Sequence, residues 1–144
     1  MALTPAQRTA LATEVNTDPK ALGYAGKTNA QVAALTNTVG GSGEKINAGI
    51  VSSQFIMSQL VESEIEALST VKQNVLLIYV SAGSLDSGNA NVRAGLGAIF
   101  GAGTTSRTNL VAAVDRSASR AEVLFGSGVV VLTEDVSAAL NRTT

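Results

Sequence analysis

The sequence predicts a mainly α-helical protein, a compact bundle of short helices with one small two-stranded β ribbon. Hydrophobic residues make up 45% of the 144 residues, enough for a buried core, whereas aromatic residues make up only 3%. Apolar residues recur at helical spacing, and Ser, Thr, Asn or Gly stands where these stretches begin and end. We therefore expect one helical domain spanning residues 1–144, with a core of small aliphatic side chains.

The N-terminal third contains two helix starts of the capping-box type, in which a hydroxyl residue is followed three positions later by Gln. They predict helices over about 5–16 and 29–38. The glycine-rich segment that follows cannot continue a helix cheaply, so we expect a flexible loop near 40–45. The two capping pairs are Thr4 with Gln7 and Thr28 with Gln31.

Two distant segments share a pattern of an apolar pair, a hydroxyl residue, and apolar residues three and seven positions after it. They are centred on Ile50-Val51 with Ser53 and on Val130-Val131 with Thr133. Strands this short are marginal alone, so we predict a ribbon that pairs residues near 49–52 with residues near 129–132. Coincidence is the alternative explanation.

Ser69 predicts the start of a helix over about 70–81. The run at 75–80 is compatible with a buried strand as well, but the polar residues upstream are in phase with a helical stripe and favour a helix. We expect its inner face to carry Val71, Val75, Leu76 and Tyr79, broadened by Leu77 and Ile78.

The stretch from 95 to 110 is rich in glycine and resembles a phosphate-binding loop at first sight. A dinucleotide-binding turn needs its third glycine one position before Gly101, and a P-loop needs a Gly-Lys pair, but no lysine follows Lys72. We instead predict a corner between two helices, stopped by Gly101 or Gly103 and restarted by a cap at Thr105 or Ser106. Gly95 and Gly97 within a helix imply close contact with a neighbouring helix or subunit.

The C-terminal part predicts two more helices. Ser119 with Glu122 forms a third capping box, and Gly126 ends that helix. Thr133 predicts the next N-cap, followed by Glu134 and Asp135, whose charges favour a helix N-terminus. We expect residues 141–144 to form a tail.

Composition excludes several kinds of site. The chain contains neither Cys nor His, so it has no disulfide, thiolate or imidazole chemistry. Its net charge of −1 argues against nucleic-acid binding. Residues 1–8 lack a signal-peptide pattern, and no apolar run reaches the roughly 20 residues of a membrane span. We expect a soluble intracellular protein without enzymatic activity, cofactor or metal.

The remaining candidates are acidic and interface residues. Glu62 and Glu66 share a helix face and are the one candidate acid pair, although a solvated acidic face is the simpler explanation for them. Small residues and arginines could instead contact a partner, although arginines in such a region more often form surface or interface ion pairs. The candidate interface residues are Gly41, Gly43, Lys45, Gly95, Gly97, Arg107, Arg116, Arg120 and Arg142.

The order of motifs resembles a group of small structural proteins of tailed bacteriophages. Its opening has a Leu-Thr-x-x-Gln helix, an Asp-Pro-x-x-x-Gly-Tyr turn and a short polar-capped helix, and the second half is similar from AGLGAIF through SRAEVLFG to TEDVSAAL. The likeness is weakest over 40–85. The opening motifs are carried by Leu3, Thr4 and Gln7, by Asp18, Pro19, Gly23 and Tyr24, and by residues 28–37.

This resemblance implies a non-enzymatic virion protein, assembled in the bacterial host cytoplasm. By size and helicity it suggests a head–tail connector, or adaptor, that forms a homo-oligomeric ring in the neck between portal and tail. Segments 40–45 and 141–144 would then serve as contacts. The alternatives are another virion component, such as a capsid decoration or tail-completion protein, and a phage-encoded regulatory binding module.

Overall fold

A computed structural model describes residues 2–143, and within them it contains nine helices and four short strands. The fold is mainly α-helical, as predicted. In chain order the elements are α1 (Pro5–Thr17), α2 (Asn29–Asn37), β1 (Lys45–Asn47), β2 (Ile50–Ser52), α3 (Ser53–Ser58), α4 (Glu62–Glu66), α5 (Thr70–Ser81), β3 (Ser84–Asp86), α6 (Ala90–Ile99), α7 (Thr105–Ala113), β4 (Asp115–Ser117), α8 (Arg120–Phe125) and α9 (Thr133–Leu140).

The elements group into two compact units. Unit 1 combines residues 1–46 with residues 117–144, and unit 2 is the continuous stretch 47–116. Met1 and Thr144 lie outside the described residues. Whether the chain folds as the single domain predicted from its length remains a prediction.

Unit 1 is built from α1, α2, α8 and α9, and α9 packs against both N-terminal helices. All three predicted capping boxes are present at the starts of α1, α2 and α8. They satisfy backbone N–H groups that the first helical turn leaves without partners. The core consists of Leu3, Leu11, Tyr24, Val32, Ala33, Ala121, Val131 and Val136.

The start of α9 is closed by a buried carboxylate. The N-cap is Leu132 and not Thr133. The Asp135 carboxylate accepts hydrogen bonds from the backbone N–H of Leu132 (3.2 Å) and from the backbone N–H of Leu3 (2.9 Å). Asp135 is fully buried and ties the N-terminal segment to this helix. The structural role predicted for the acidic residues at this helix end is therefore confirmed for Asp135.

A buried ion-pair cluster joins three segments of unit 1. The Arg120 guanidinium at the start of α8 donates to both carboxylate oxygens of Glu14 in α1, each at 2.8 Å. It also binds Glu44 at 2.8 Å, and Glu44 lies 3.0 Å from the Lys20 ammonium. Hydrogen bonding to Glu14 raises the pKa of Arg120, which stays charged. Burial opposes ionisation of Glu44, but the hydrogen bonds from Lys20 and Arg120 lower its pKa.

The segment predicted as a flexible loop makes several contacts within unit 1. The backbone N–H of Gly40 donates to the Ala118 carbonyl (2.9 Å), and the Ala118 N–H donates to the Glu44 carbonyl (3.0 Å). With the Glu44 side chain in the ion-pair cluster, segment 40–44 is anchored by both backbone and charge. Its flexibility remains a prediction.

Unit 2 packs α3, α5, α6 and α7 around a second aliphatic core. Helix α5 contacts both α3 and α6. Strands β2 and β3 pair antiparallel, with Val51 opposite Leu85, and β1 pairs with β4. The buried core residues are Ile56, Leu76, Leu85, Leu96, Ile99, Phe100, Leu110 and Val114.

The predicted pairing of residues 49–52 with 129–132 is wrong. Strand β2 pairs with β3 instead, and residues 129–132 form no strand. The backbone of Val131 is satisfied differently, because the Asn37 side-chain amide donates to its carbonyl (2.8 Å) and accepts from its N–H (2.9 Å). A side chain thus takes the place of a partner strand, and Ser52, not Ser53, caps the helix after β2.

The glycine-rich stretch forms the predicted helix corner, with its boundaries shifted. Helix α6 contains both Gly95 and Gly97 and ends before either predicted stop, and α7 is capped by Thr104. Gly103 has φ +90° in the intervening turn, a conformation that favours glycine. The stretch is helical where a phosphate loop would need an open turn.

Gly95 and Gly97 are expected to respond oppositely to alanine. A Cβ on Gly95 would overlap the Tyr79 hydroxyl and lie 2.9 Å from the ring Cζ, whereas a Cβ on Gly97 would be 3.7 Å from its nearest neighbour. Gly97→Ala should raise the free energy of unfolding by up to about 1 kcal/mol through helix propensity. Gly95→Ala should lower it by about 1–3 kcal/mol through overpacking. Urea denaturation of the two variants tests this, and equal effects would contradict it.

Replacing Arg120 should destabilise the protein strongly. Arg120→Met leaves the Glu14 carboxylate buried without its counter-ion, which should lower the free energy of unfolding by about 3–5 kcal/mol. Lys20→Met is the matched control, since it removes the more exposed cation of the same cluster and should cost less than about 1 kcal/mol. Adding Glu14→Met to Arg120→Met should recover much of the loss in chemical denaturation. Failure to recover would show that packing, not charge, holds this site.

Candidate interaction surface

Exposed apolar side chains are concentrated in unit 2. Of the ten large hydrophobic residues exposed in the described chain, eight lie in unit 2, and four of those eight lie on α5. A cluster of this kind marks a contact surface more often than a free surface, whereas single exposed hydrophobics need no explanation. We call Val71, Val75, Leu77 and Ile78 the outer face of α5.

The outer face follows from helical geometry. Val71, Val75 and Ile78 are spaced by four and three residues and form one stripe along the helix. Their exposed fractions are 72%, 37% and 69%. Leu77 is 63% exposed but lies about 100° around the helix from Ile78, outside this stripe. Leu76, five positions after Val71, points to the other side and is the one buried residue of α5. The helix therefore carries an apolar stripe that faces water, bordered by exposed Lys72 and Asn74, in addition to the side that faces the core.

The predicted direction of this helix is partly wrong. Leu76 is buried and Tyr79 is partly buried, as expected, but Val71, Val75, Leu77 and Ile78 are exposed. Periodicity cannot choose an inner stripe in a helix whose apolar residues surround the axis. Apolar residues on several sides of this helix are the sequence signal that could have revealed a second contact surface.

A groove of about 220 Å³ lies between α6 and α7, and we call it the α6–α7 groove. Its floor is formed by buried Leu96, Leu110 and Val114, and Val111 on its wall is 56% exposed. Two guanidinium groups line it as well. Arg93 pairs with Asp115 (3.5 Å), and Arg107 donates to the Gly97 carbonyl (2.7 Å). The groove is thus apolar in its depth and carries two guanidinium groups, one of which is paired with the Asp115 carboxylate.

Two of the predicted interface residues, Gly97 and Arg107, line the α6–α7 groove. Gly97 and Arg107 are joined by the hydrogen bond just described, and Gly95 packs against Tyr79 of α5. Close contact with a neighbouring helix is therefore confirmed for Gly95, whereas a Cβ at Gly97 would be at an ordinary van der Waals distance from Arg107. Their role between molecules remains a prediction.

The other predicted interface residues do not join this group. Gly41, Gly43, Lys45, Arg120 and Arg142 belong to unit 1, and Arg116 to β4 in unit 2. Arg120 is buried in the ion-pair cluster, and sequence reasoning missed both of its carboxylate partners. In the predicted C-terminal tail, Arg142 donates to the Asn29 side chain (2.7 Å) and the Lys27 carbonyl (2.8 Å). Intermolecular contacts by these residues remain a prediction.

The candidate acid pair lies on α4, where Glu62 and Glu66 are both exposed. The residue between them has a structural role, because Glu64 accepts hydrogen bonds from the backbone N–H groups of Thr105 and Ser106, both at 2.8 Å. Hydrogen bonds from Ser106 lower the pKa of Glu64. Glu64 therefore anchors the start of α7 as an ionised carboxylate.

Residues 2–143 contain no group of three acidic, His or Cys residues arranged to hold a metal ion. No helix in that range has the length and hydrophobicity needed to span a bilayer.

Comparisons with protein-family models, with curated proteins and with solved structures found no match to this chain. The outer face of α5 and the α6–α7 groove are therefore interpreted from their own residues.

Proposed function

We propose that the protein is a non-enzymatic structural subunit of a tailed-phage virion, and that it self-assembles into a ring as a head–tail connector. The observation that carries self-assembly is the outer face of α5. A helix with apolar residues on both its inner and outer sides is normally covered on both. Only the inner side of α5 is covered, and in this proposal a second copy of the chain covers the outer face.

Burial of the outer face would contribute substantially to the free energy of association. Burying one aliphatic side chain lowers the free energy by about 1.5–3 kcal/mol relative to leaving it in water. The outer face presents four such side chains, and α5 carries a single charged residue, Lys72, that would oppose burial. Lys72 follows Val71 by one residue, about 100° around the helix, so it lies to the side of the stripe. Association through this face would bury apolar area without burying a charge.

Placement in the virion is supported by the resemblance of the opening and closing motifs to small phage structural proteins. That support is separate from the argument for self-assembly. When each subunit uses two different surfaces, one for each neighbour, a ring forms if the rotation between subunits closes and an open filament forms if it does not. The portal and the tail or neck proteins are the other partners in this proposal.

Charged substitutions on the outer face should abolish self-assembly and leave the fold intact. Ile78→Lys places a cation in the last turn of α5, and Val71→Asp places an anion in the first turn, so the helix dipole favours both. We expect each variant to sediment as a monomer under conditions where the wild-type chain is an oligomer. Their free energies of unfolding should stay within about 0.5 kcal/mol of wild type.

Val39→Lys is the matched control for Ile78→Lys. Val39 is 62% exposed, directly follows the C-cap of α2 and belongs to unit 1, so its substitution adds the same charge at a similar exposure. It should leave the oligomer unchanged in sedimentation velocity. A wild-type chain that is monomeric at every concentration, or equal loss in both lysine variants, would contradict self-assembly through α5.

The virion assignment is tested by mass spectrometry of purified particles. A connector is expected at the copy number of one ring, whereas a capsid decoration protein would occur at the copy number of a whole shell. Absence from particles, combined with a stable complex with a host protein, would overturn the virion assignment and favour a regulatory module.

A further inference from the structure

We infer that the outer face of α5 of one copy docks into the α6–α7 groove of the next copy, in a head-to-tail contact. This inference rests on the self-assembly proposed above and specifies its two surfaces. The occupant of the groove is a second copy of this chain, and both surfaces belong to unit 2.

Shape provides the first argument. Val71, Val75 and Ile78 form a ridge of branched side chains on a convex helix, and the groove between α6 and α7 is a concave surface with an apolar floor. Branched side chains that project from one surface can fill an apolar recess of another, because close packing excludes water. A contact between two outer faces would leave the α6–α7 groove of each copy open to water.

Charge complementarity provides the second argument. Helix α4 ends at Glu66, four residues before α5 begins, and its Glu62 and Glu66 are exposed. The groove carries the guanidinium groups of Arg93 and Arg107. Arg93 is already paired with Asp115, so Arg107 is the guanidinium that a head-to-tail contact can place beside the acidic α4 end of another copy. Two α4–α5 segments packed in parallel would instead bring their acidic ends together.

The contact is heterologous, which is the kind of contact from which rings are built. Because the two surfaces differ, a bound pair keeps one free groove on one copy and one free outer face on the other. Addition continues until the rotation between subunits closes the ring. An isologous contact between outer faces would stop at a dimer.

Cysteine cross-linking tests whether the outer face of α5 contacts the α6–α7 groove of another copy. The natural sequence has no Cys, so disulfides form only between the introduced residues. We would combine Val75→Cys and Val111→Cys in one chain and oxidise the oligomer. The expected product on non-reducing gels is a ladder that extends beyond the dimer. When the two single variants are mixed, the expected product is the Val75→Cys to Val111→Cys heterodimer. A short bis-maleimide reagent allows for a modest offset between the two positions.

Val39→Cys combined with Val111→Cys is the control, and it should give no more than collisional dimer. Preferential homodimers of Val75→Cys would overturn the head-to-tail contact and assign an isologous one. An oligomer by sedimentation without the Val75→Cys to Val111→Cys product would also overturn it, while leaving the proposed self-assembly and virion role standing. A monomeric chain would overturn both this contact and self-assembly in solution, with the virion role then judged by particle composition.

Reversing the charge of Glu66 tests whether electrostatic attraction contributes to the contact between copies. Glu66→Lys should weaken association by up to about fivefold and reduce its sensitivity to salt, because it repels the guanidinium groups of the groove. An association constant that Glu66→Lys leaves unchanged would contradict the charge pairing.

Discussion

Helix α5 carries more apolar surface than its own unit can cover. Unit 2 has only 70 residues, and its core is filled by eight buried side chains to which α5 contributes Leu76 alone. Aromatic residues, which could extend over a second side of the helix, make up only 3% of the chain. The uncovered stripe is therefore a consequence of building a small unit from short aliphatic side chains. Both proposals for this protein start from that imbalance.

In unit 1, buried polar groups have hydrogen-bond or ion-pair partners within the same chain. Arg120 could be taken for a surface contact, yet it is held by two carboxylates of its own chain. Asp135 and Asn37 likewise give their side-chain atoms to backbone groups that have no strand or helix partner. Isolated burial of such groups would cost several kcal/mol, so each needs its specific partner. In unit 1 charge and amide groups hold segments together, whereas the contact surface proposed for unit 2 is apolar.

Local signals in the sequence predicted local structure well. The capping boxes at Thr4, Thr28 and Ser119 depend on residues three apart, and all three formed as expected. Two errors came from non-local features. The partner of Ile50–Ser52 depends on which chain segment lies beside it, and a pattern shared with residues 129–132 carries no information about proximity. Which side of α5 is buried depends on how much of the helix the rest of unit 2 covers. Hydrophobic periodicity carries no information about that.

The glycines of α6 connect these observations. Gly95 allows α6 to approach the Tyr79 ring of α5, and Gly97 offers its carbonyl to Arg107, so both help to set the spacing of α5, α6 and α7. A larger residue at 95 would push α5 and α6 apart, and loss of the Gly97–Arg107 hydrogen bond would free a guanidinium at the groove. The residues that first resembled a phosphate loop thus shape the α6–α7 groove and the seating of α5. Their contribution to function, under the proposed assembly, is to hold ridge and groove in a fixed relation within each subunit.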